Sequence, residues 1–185
     1  LHHVTLADRT SMGVGGPAAQ LVFVRNADDA RLALAGWSGP VWVLGGGSNV
    51  VVSDAGLPGL VLTPSGRRIE WRADGQLWVE AGVAWDRLVA ATVRRGWAGI
   101  ECLSGIPGQV GAAPIQNIGA YGQEVADVLV SVTALDRASA ELVSWSRAAC
   151  GFGYRDSRFK REPNRWLDRK STRLNSSHIT ISYAV

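Results

Sequence analysis

Two cysteines, Cys102 and Cys150, are all that this chain of 185 residues contains, too few for a disulfide framework. Each sits among apolar or small residues and reads as a buried thiol, which points to a reducing, cytoplasmic compartment. No apolar run approaches the roughly 20 residues that a membrane span needs, and no secretory signal is legible at a start that is Leu1 rather than Met. Charged residues are sparse at 19%, with a net charge of +3. Arg and Lys crowd into 155–173 without interleaved stacking aromatics, which argues against nucleic acid as a partner. The isolated His178 has no companion ligands, so no metal site is expected, and Asn175-Ser176-Ser177 matches a glycosylation sequon only by chance. No internal repeat is visible.

What is present is 46% hydrophobic, enough for one or two small domains. Leu21–Val24 reads as a buried strand. Asn26 starts a helix with Asp28 and Asp29 in its first turn, and Gly36 ends it. Val41–Leu44 is a second strand, which breaks at Gly45-Gly46-Gly47-Ser48-Asn49 and is expected to resume as Val50–Val52. Leu60–Leu62 is another strand. A hairpin follows over 69–81, turning at Ala73-Asp74-Gly75. Trp85, Leu88, Val89 and Val93 share one helical face, capped near Gly96. Val128–Leu135 and Glu141–Trp145 read as paired strands, with a helical turn at 146–150. A boundary falls near Pro64–Arg67. The scattered tryptophans read mostly as core.

Two glycine-rich segments carry the chemistry. Successive N–H groups in a turn such as Gly45–Asn49 form a concave anion-binding nest, with Ser48 and Asn49 as added donors; these residues alone leave a plain tight turn equally open. Val50 replaces the third glycine of the dinucleotide fingerprint, and no Gly-Lys-Ser/Thr follows. In Ser104–Gly122, glycines bring backbone close to a ligand, and Pro107 is placed to open a short helix over 109–113 whose N–H groups would face the same anion. Arg155, after Gly153, has the chemistry to fork a carboxylate and steady developing charge, while a surface ion pair with Asp156 is the plainer alternative.

These segments, in this order, resemble the UDP-N-acetylenolpyruvoylglucosamine reductase family from about Leu6 to Phe159. Thr10–Ala18 resembles the family's opening motif, with Thr-Ser-Met where Asn-Thr-Phe is usual. Ile106–Gly122 is similar to its long FAD segment, and Ala113-Pro114-Ile115-Gln116-Asn117-Ile118 resembles the enterobacterial-type subgroup. Phe152–Ser157 resembles its arginine motif. The resemblance implies an α+β fold: a two-lobed FAD-binding domain of the vanillyl-alcohol-oxidase-like (PCMH) type. Lobe 1 would span 1–65 and lobe 2 66–166. It implies FAD held non-covalently by Gly45, Gly46, Gly47, Ser48, Asn49, Ser104, Ile106, Pro107, Gly108, Gly111, Ala112, Gln116, Asn117, Gly119 and Ala120. Arg155 would be catalytic and Tyr154 would touch substrate. NADPH would be the reductant and UDP-N-acetylglucosamine enolpyruvate the substrate, in peptidoglycan synthesis, with a monomeric protein.

In that family a serine and a glutamate of a C-terminal substrate domain complete the reaction. That domain is not legible here. Residues 167–185 resemble nothing in the family and read as a foreign tail, so the expected chain binds FAD without completing turnover. The competing readings are another PCMH-type oxidase or dehydrogenase and a non-catalytic flavin-binding module. Covalent flavin has little support, because His2 and His3 are badly placed and Cys102 lacks a supporting pattern. Tyr121 and Tyr154 are placed to face a flavin or to pack in the core.

Overall fold

A computed structural model describes residues 1–163 and 165–175; His178 and the Ser176-Ser177 part of the sequon lie outside the described residues. Fifteen elements alternate in an α+β order: β1 (His2–Thr5), β2 (Pro17–Val24), α1 (Ala27–Leu34), β3 (Val41–Val43), β4 (Leu57–Pro64), β5 (Ile69–Trp71), β6 (Gln76–Glu80), α2 (Trp85–Arg94), β7 (Gly119–Ala120), β8 (Gln123–Glu124), α3 (Val125–Val128), β9 (Leu129–Asp136), β10 (Leu142–Ser146), α4 (Arg158–Arg161) and β11 (Trp166–Asn175). They form a four-stranded sheet, β1-β2-β4-β3, and a five-stranded sheet, β10-β9-β11-β6-β5. In the first sheet β2, β4 and β3 run parallel and only β1 is antiparallel, so the chain leaves β3 and β4 at the same end.

Local chemistry fixes the helices. Asn26 caps α1 by accepting a hydrogen bond from the Asp29 N–H at 2.9 Å. α2 buries Trp85, Leu88, Val89 and Thr92 on one face; burial of a side chain such as Leu88 contributes roughly 2 kcal/mol. Gly96, one residue past the Arg95 cap, has φ +70°, the left-handed turn that commonly stops a helix. The hairpin of β5 and β6 turns through Gly75, with the Asp74 carboxylate accepting from the Gln76 N–H.

Three apolar clusters make the core. One lies between α2 and the five-stranded sheet, and a second joins Leu6, Leu21, Leu44, Val52 and Val61. The third crosses between the sheets: Ala27, Ala30, Leu60 and Leu62 pack with Leu135 and Leu167. β11 pairs antiparallel with β9 on one side and β6 on the other, so the stretch from Leu167 to Asn175 enters the middle of the second sheet.

Two expectations fail here. Val50–Val52 is not a strand: the turn at Gly47 (φ +67°) redirects the chain, leaving Val51 exposed while Val52 drops into the core. The expected helix over 109–113 is only a 3₁₀ turn, Val110–Ala112. Its first N–H groups are already taken, Val110 donating to Val83 O and Gly111 to Ala81 O, so no helix dipole faces an anion.

Candidate functional site

The end of β3 leads straight into Gly45–Asn49, and the segment after Leu103 brings Ile106–Gly111 against it. A Cβ added to Gly46 would lie 3.1 Å from Gly108 Cα, so the two backbones come this close because residue 46 is glycine. Gly108 itself has φ +120°. Among the described residues, the N–H groups of Gly45, Gly46, Gly47, Ser48 and Asn49 donate to no acceptor, nor do those of Gly108 and Gln109. Two facing turns thus carry seven free backbone donors, the makeup of an anion nest.

Each turn is buttressed from behind. The Ser11 N–H donates to Gly47 O at 2.9 Å, and Thr10 Oγ1 donates to Val14 O at 2.7 Å; this is how the Thr10–Ala18 motif holds the first turn. A Cβ on Gly47 would collide with the Arg9 carbonyl oxygen. The second turn is fixed by the Trp85 N–H donating to Gly108 O at 3.0 Å, and by Asp86. Its carboxylate accepts from the Gly105 N–H at 2.7 Å and from Ser104 Oγ at 3.0 Å. The Gly105 N–H bond, then the Ser104 hydroxyl, holds the Asp86 carboxyl below its ordinary value.

The turns line a cleft of about 480 Å³. Gly45, Gly46, Gly47, Ser48, Asn49, Ile106, Pro107, Gly108, Gly111, Ala112, Gln116 and Arg155 all border it. It adjoins a more apolar hollow of about 320 Å³, the two sharing Val43, Gly111, Ile115 and Trp166. Ser104, Asn117, Gly119, Ala120 and Tyr154 do not line the cleft. Ser104 is engaged with Asp86, and Tyr154 is 86% exposed. Tyr121, at 91% exposed, is likewise outside it. Trp85, Pro64 and Trp166 border the cleft without having been singled out; each comes from the end or start of a regular element, where its residue type gives no local signal.

Arg155 stands at one side of the cleft with φ +53°. Its Nη2 donates to Gly119 O at 2.7 Å, and Lys160 Nζ donates to its carbonyl oxygen at 2.9 Å. The Asp156 pairing that stood as the alternative for Arg155 belongs instead to Arg161, which reaches the same carboxylate from α4. Asn117, 1% exposed, ties this turn to the glycine segment: Nδ2 donates to Gly153 O and to Glu124, and Oδ1 accepts from the Ala126 N–H. Ser157 Oγ adds a bond to Ile115 O at 2.7 Å.

Cys150 is buried and Cys102 half-buried, and the two are not joined in a disulfide. Among the described residues no group of His, Cys, Asp and Glu is placed to hold a metal ion, and no helix is long and apolar enough to cross a membrane.

The UDP-N-acetylenolpyruvoylglucosamine reductase of Streptomyces coelicolor is 46% identical over 178 residues, covering 90% of this chain and 44% of that protein. The chain therefore spans about half the length of such a relative. The crystal structure of UDP-N-acetylenolpyruvylglucosamine reductase from Thermus caldophilus superposes with a TM-score of 0.78 at 34% identity, over 92% of this chain and 60% of that one. p-Cresol methylhydroxylase, at 13% identity and a TM-score of 0.60 over 90% of this chain and 37% of its own, shares the fold. A family model described as FAD binding domain matches residues 18–146. That match takes in both glycine turns and the strands that present them, and on it this chain belongs to the FAD binding domain family.

Proposed function

We propose that this chain is the FAD-binding part of an NADPH-dependent UDP-N-acetylenolpyruvoylglucosamine reductase, which converts UDP-N-acetylglucosamine enolpyruvate to UDP-N-acetylmuramate in peptidoglycan synthesis. The observation that carries this is the Gly46–Gly108 backbone contact, with seven unpaired N–H groups around it. A diphosphate needs close backbone approach and several donors without a competing carboxylate. Both turns supply that, so the residues present fit the central bridge of FAD. The apolar walls, including Trp85, Ile118 and Trp166, suit a flat ring and keep water from it.

When bound, FAD supplies the hydride chemistry. Arg155 holds the substrate carboxylate and steadies the negative charge that grows beside it. Gly119 O and Lys160 fix that guanidinium and its backbone, so little reorganisation is needed at the moment of reaction. Tyr154 lies next to Arg155 on the exposed side and is read as a substrate contact. Ser104, Asn117, Gly119 and Ala120 support the FAD segment from behind the cleft wall. The protonating serine and assisting glutamate belong to the remaining half of the enzyme, so this chain binds FAD and reaches turnover only with that half. We read lobe 1 as 1–65 and lobe 2 as 66–166, with β11 continuing the second sheet. The Ala113–Ile118 run favours the enterobacterial-type subgroup. The protein acts as a cytoplasmic monomer, away from membrane and nucleic acid, and through cell-wall synthesis supports cell shape, division and the cell cycle.

The test is a visible spectrum of the purified chain before and after heat release. Flavin bands near equal stoichiometry, with the yellow colour left in solution, are expected. A colourless protein that takes up no added FAD, or flavin retained in the pellet, overturns the proposal. Adding the C-terminal half of a full-length relative in trans restores NADPH oxidation on the enolpyruvyl substrate, whereas turnover by the chain alone refutes the division of labour.

A further inference from the structure

Away from the cleft, Arg67, Arg87, Arg94 and Arg95 line a single hollow of about 410 Å³ with Ile69, Trp71 and Ala91. None of these residues borders the cleft, and only Arg67 also lines a neighbouring hollow with Gly45 and Gly46. Arg87, Ala91 and Arg94 fall four and then three positions apart on α2, hence on one face, and the small Ala91 leaves space between the two guanidiniums. Arg95 stacks over the Trp71 ring at 4.1 Å, and Trp97 meets the same ring edge-on at 4.9 Å. The aromatic pair thus fixes one cation of the four.

No carboxylate lines this hollow. Among the described residues, none of these four arginines takes part in an ion pair, although neighbours on the same segment do: Arg68 pairs with Glu80 and Arg72 with Glu70. Asp86, one residue from Arg87, is turned to Ser104 and Gly105. The helix dipole accounts for a cation at Arg94, and stacking accounts for Arg95. Neither accounts for four guanidiniums sharing one concavity with no counter-charge, an arrangement that repels itself until an anion enters.

We propose that this hollow binds an oligophosphate, the chemistry that several guanidinium forks recognise together. The source is either free polyphosphate or the triphosphate tail of a nucleotide. The site is independent of FAD.

Calorimetric titration with tripolyphosphate, ATP and AMP, with and without added FAD, tests this. Tripolyphosphate and ATP are expected to bind at least about tenfold more tightly than AMP, equally in both conditions and more weakly at higher salt. Tighter binding of ATP than of tripolyphosphate identifies a nucleotide; equal binding identifies the phosphate chain as sufficient. The exposed double substitution Arg87→Gln/Arg94→Gln is expected to weaken both by at least about tenfold, with melting temperature and flavin content unchanged. Absence of saturable binding, undiminished binding to the double variant, or a tighter grip on a single-stranded oligonucleotide than on tripolyphosphate overturns the proposal. Loss of flavin binding alone leaves it standing and refutes only the FAD reading.

Discussion

Asn117 Nδ2 donates to the carbonyl oxygen of Gly153 at 3.0 Å, two residues before Arg155. This bond joins the glycine-rich segment to the turn that presents the guanidinium. Arg155 returns the connection by donating to Gly119 O at 2.7 Å. The two segments, 36 residues apart in sequence, are therefore tied twice, and Arg155 is placed by the Asn117 bond as well as by its own.

Asn117→Ala removes three hydrogen bonds at a site 1% exposed. It also places Ala at φ +42°, which asparagine tolerates better. Stranding the Ala126 N–H, and leaving Gly153 O with the Asp156 N–H alone, is expected to cost about 2–4 kcal/mol, read by urea denaturation. Asn117→Asp keeps the acceptor for Ala126 but loses both donors beside Glu124. Its deficit is expected to shrink as pH is lowered and a protonated carboxyl supplies a donor again.

Gly46→Ala forces a methyl group toward Gly108 Cα. Neither backbone has slack, since Gly108 O is held by the Trp85 N–H. Opening the turns is expected to weaken FAD binding by at least about tenfold for a stability loss of about 1–2 kcal/mol. Gly47→Ala is expected to be worse, because φ +67° is strained for alanine and the new methyl meets the Arg9 carbonyl oxygen. Fluorescence titration of the apoprotein with FAD ranks the two.

Asp86 links stability to pH. Its carboxyl is held down first by the Gly105 N–H and then by the Ser104 hydroxyl. Unfolded, it takes up a proton near its ordinary 3.8; folded, it does so only at lower pH. The stabilisation is thus complete above 3.8 and drains away as pH falls through the folded value. Asp86→Asn is expected to flatten this acid limb of a melting-temperature profile, and to loosen FAD through the Ile106–Gly108 turn. An unchanged limb would assign it to other carboxylates, such as Asp136, whose bond from the Ala138 N–H lowers its carboxyl in the same sense.

Leu167→Ala opens a cavity in the cluster that joins the sheets. Leu167 is 1% exposed and packs with Leu60, Leu62 and Leu135. The loss expected is about 2–4 kcal/mol, measured by denaturation. A loss under about 0.5 kcal/mol, typical of surface positions, would place the residue outside the core.

Much of this was legible locally. Asn26, Gly96 and the Asp74-Gly75 turn are punctuation that acts within a few residues, so α1, α2 and the β5–β6 hairpin could be read from the chain. The Gly45–Asn49 turn was legible because it interrupts an apolar run. What escaped depends on partners distant in sequence. β1 is a strand only because β2 lies beside it, and β11 only because β6 and β9 leave it room. Val50–Val52 has the composition of a strand but no neighbour to pair with. The carboxylate of Asp156 went to Arg161 rather than to adjacent Arg155, because α4 brings Arg161 back over the turn and Gly119 O draws Arg155 away.

β11 also sets an order of events at the ribosome. β6 and β9 emerge early yet meet only across β11, which is made after both. Until that strand leaves the exit tunnel, two half-sheets with bare inner edges must wait, and such edges invite pairing with other nascent chains.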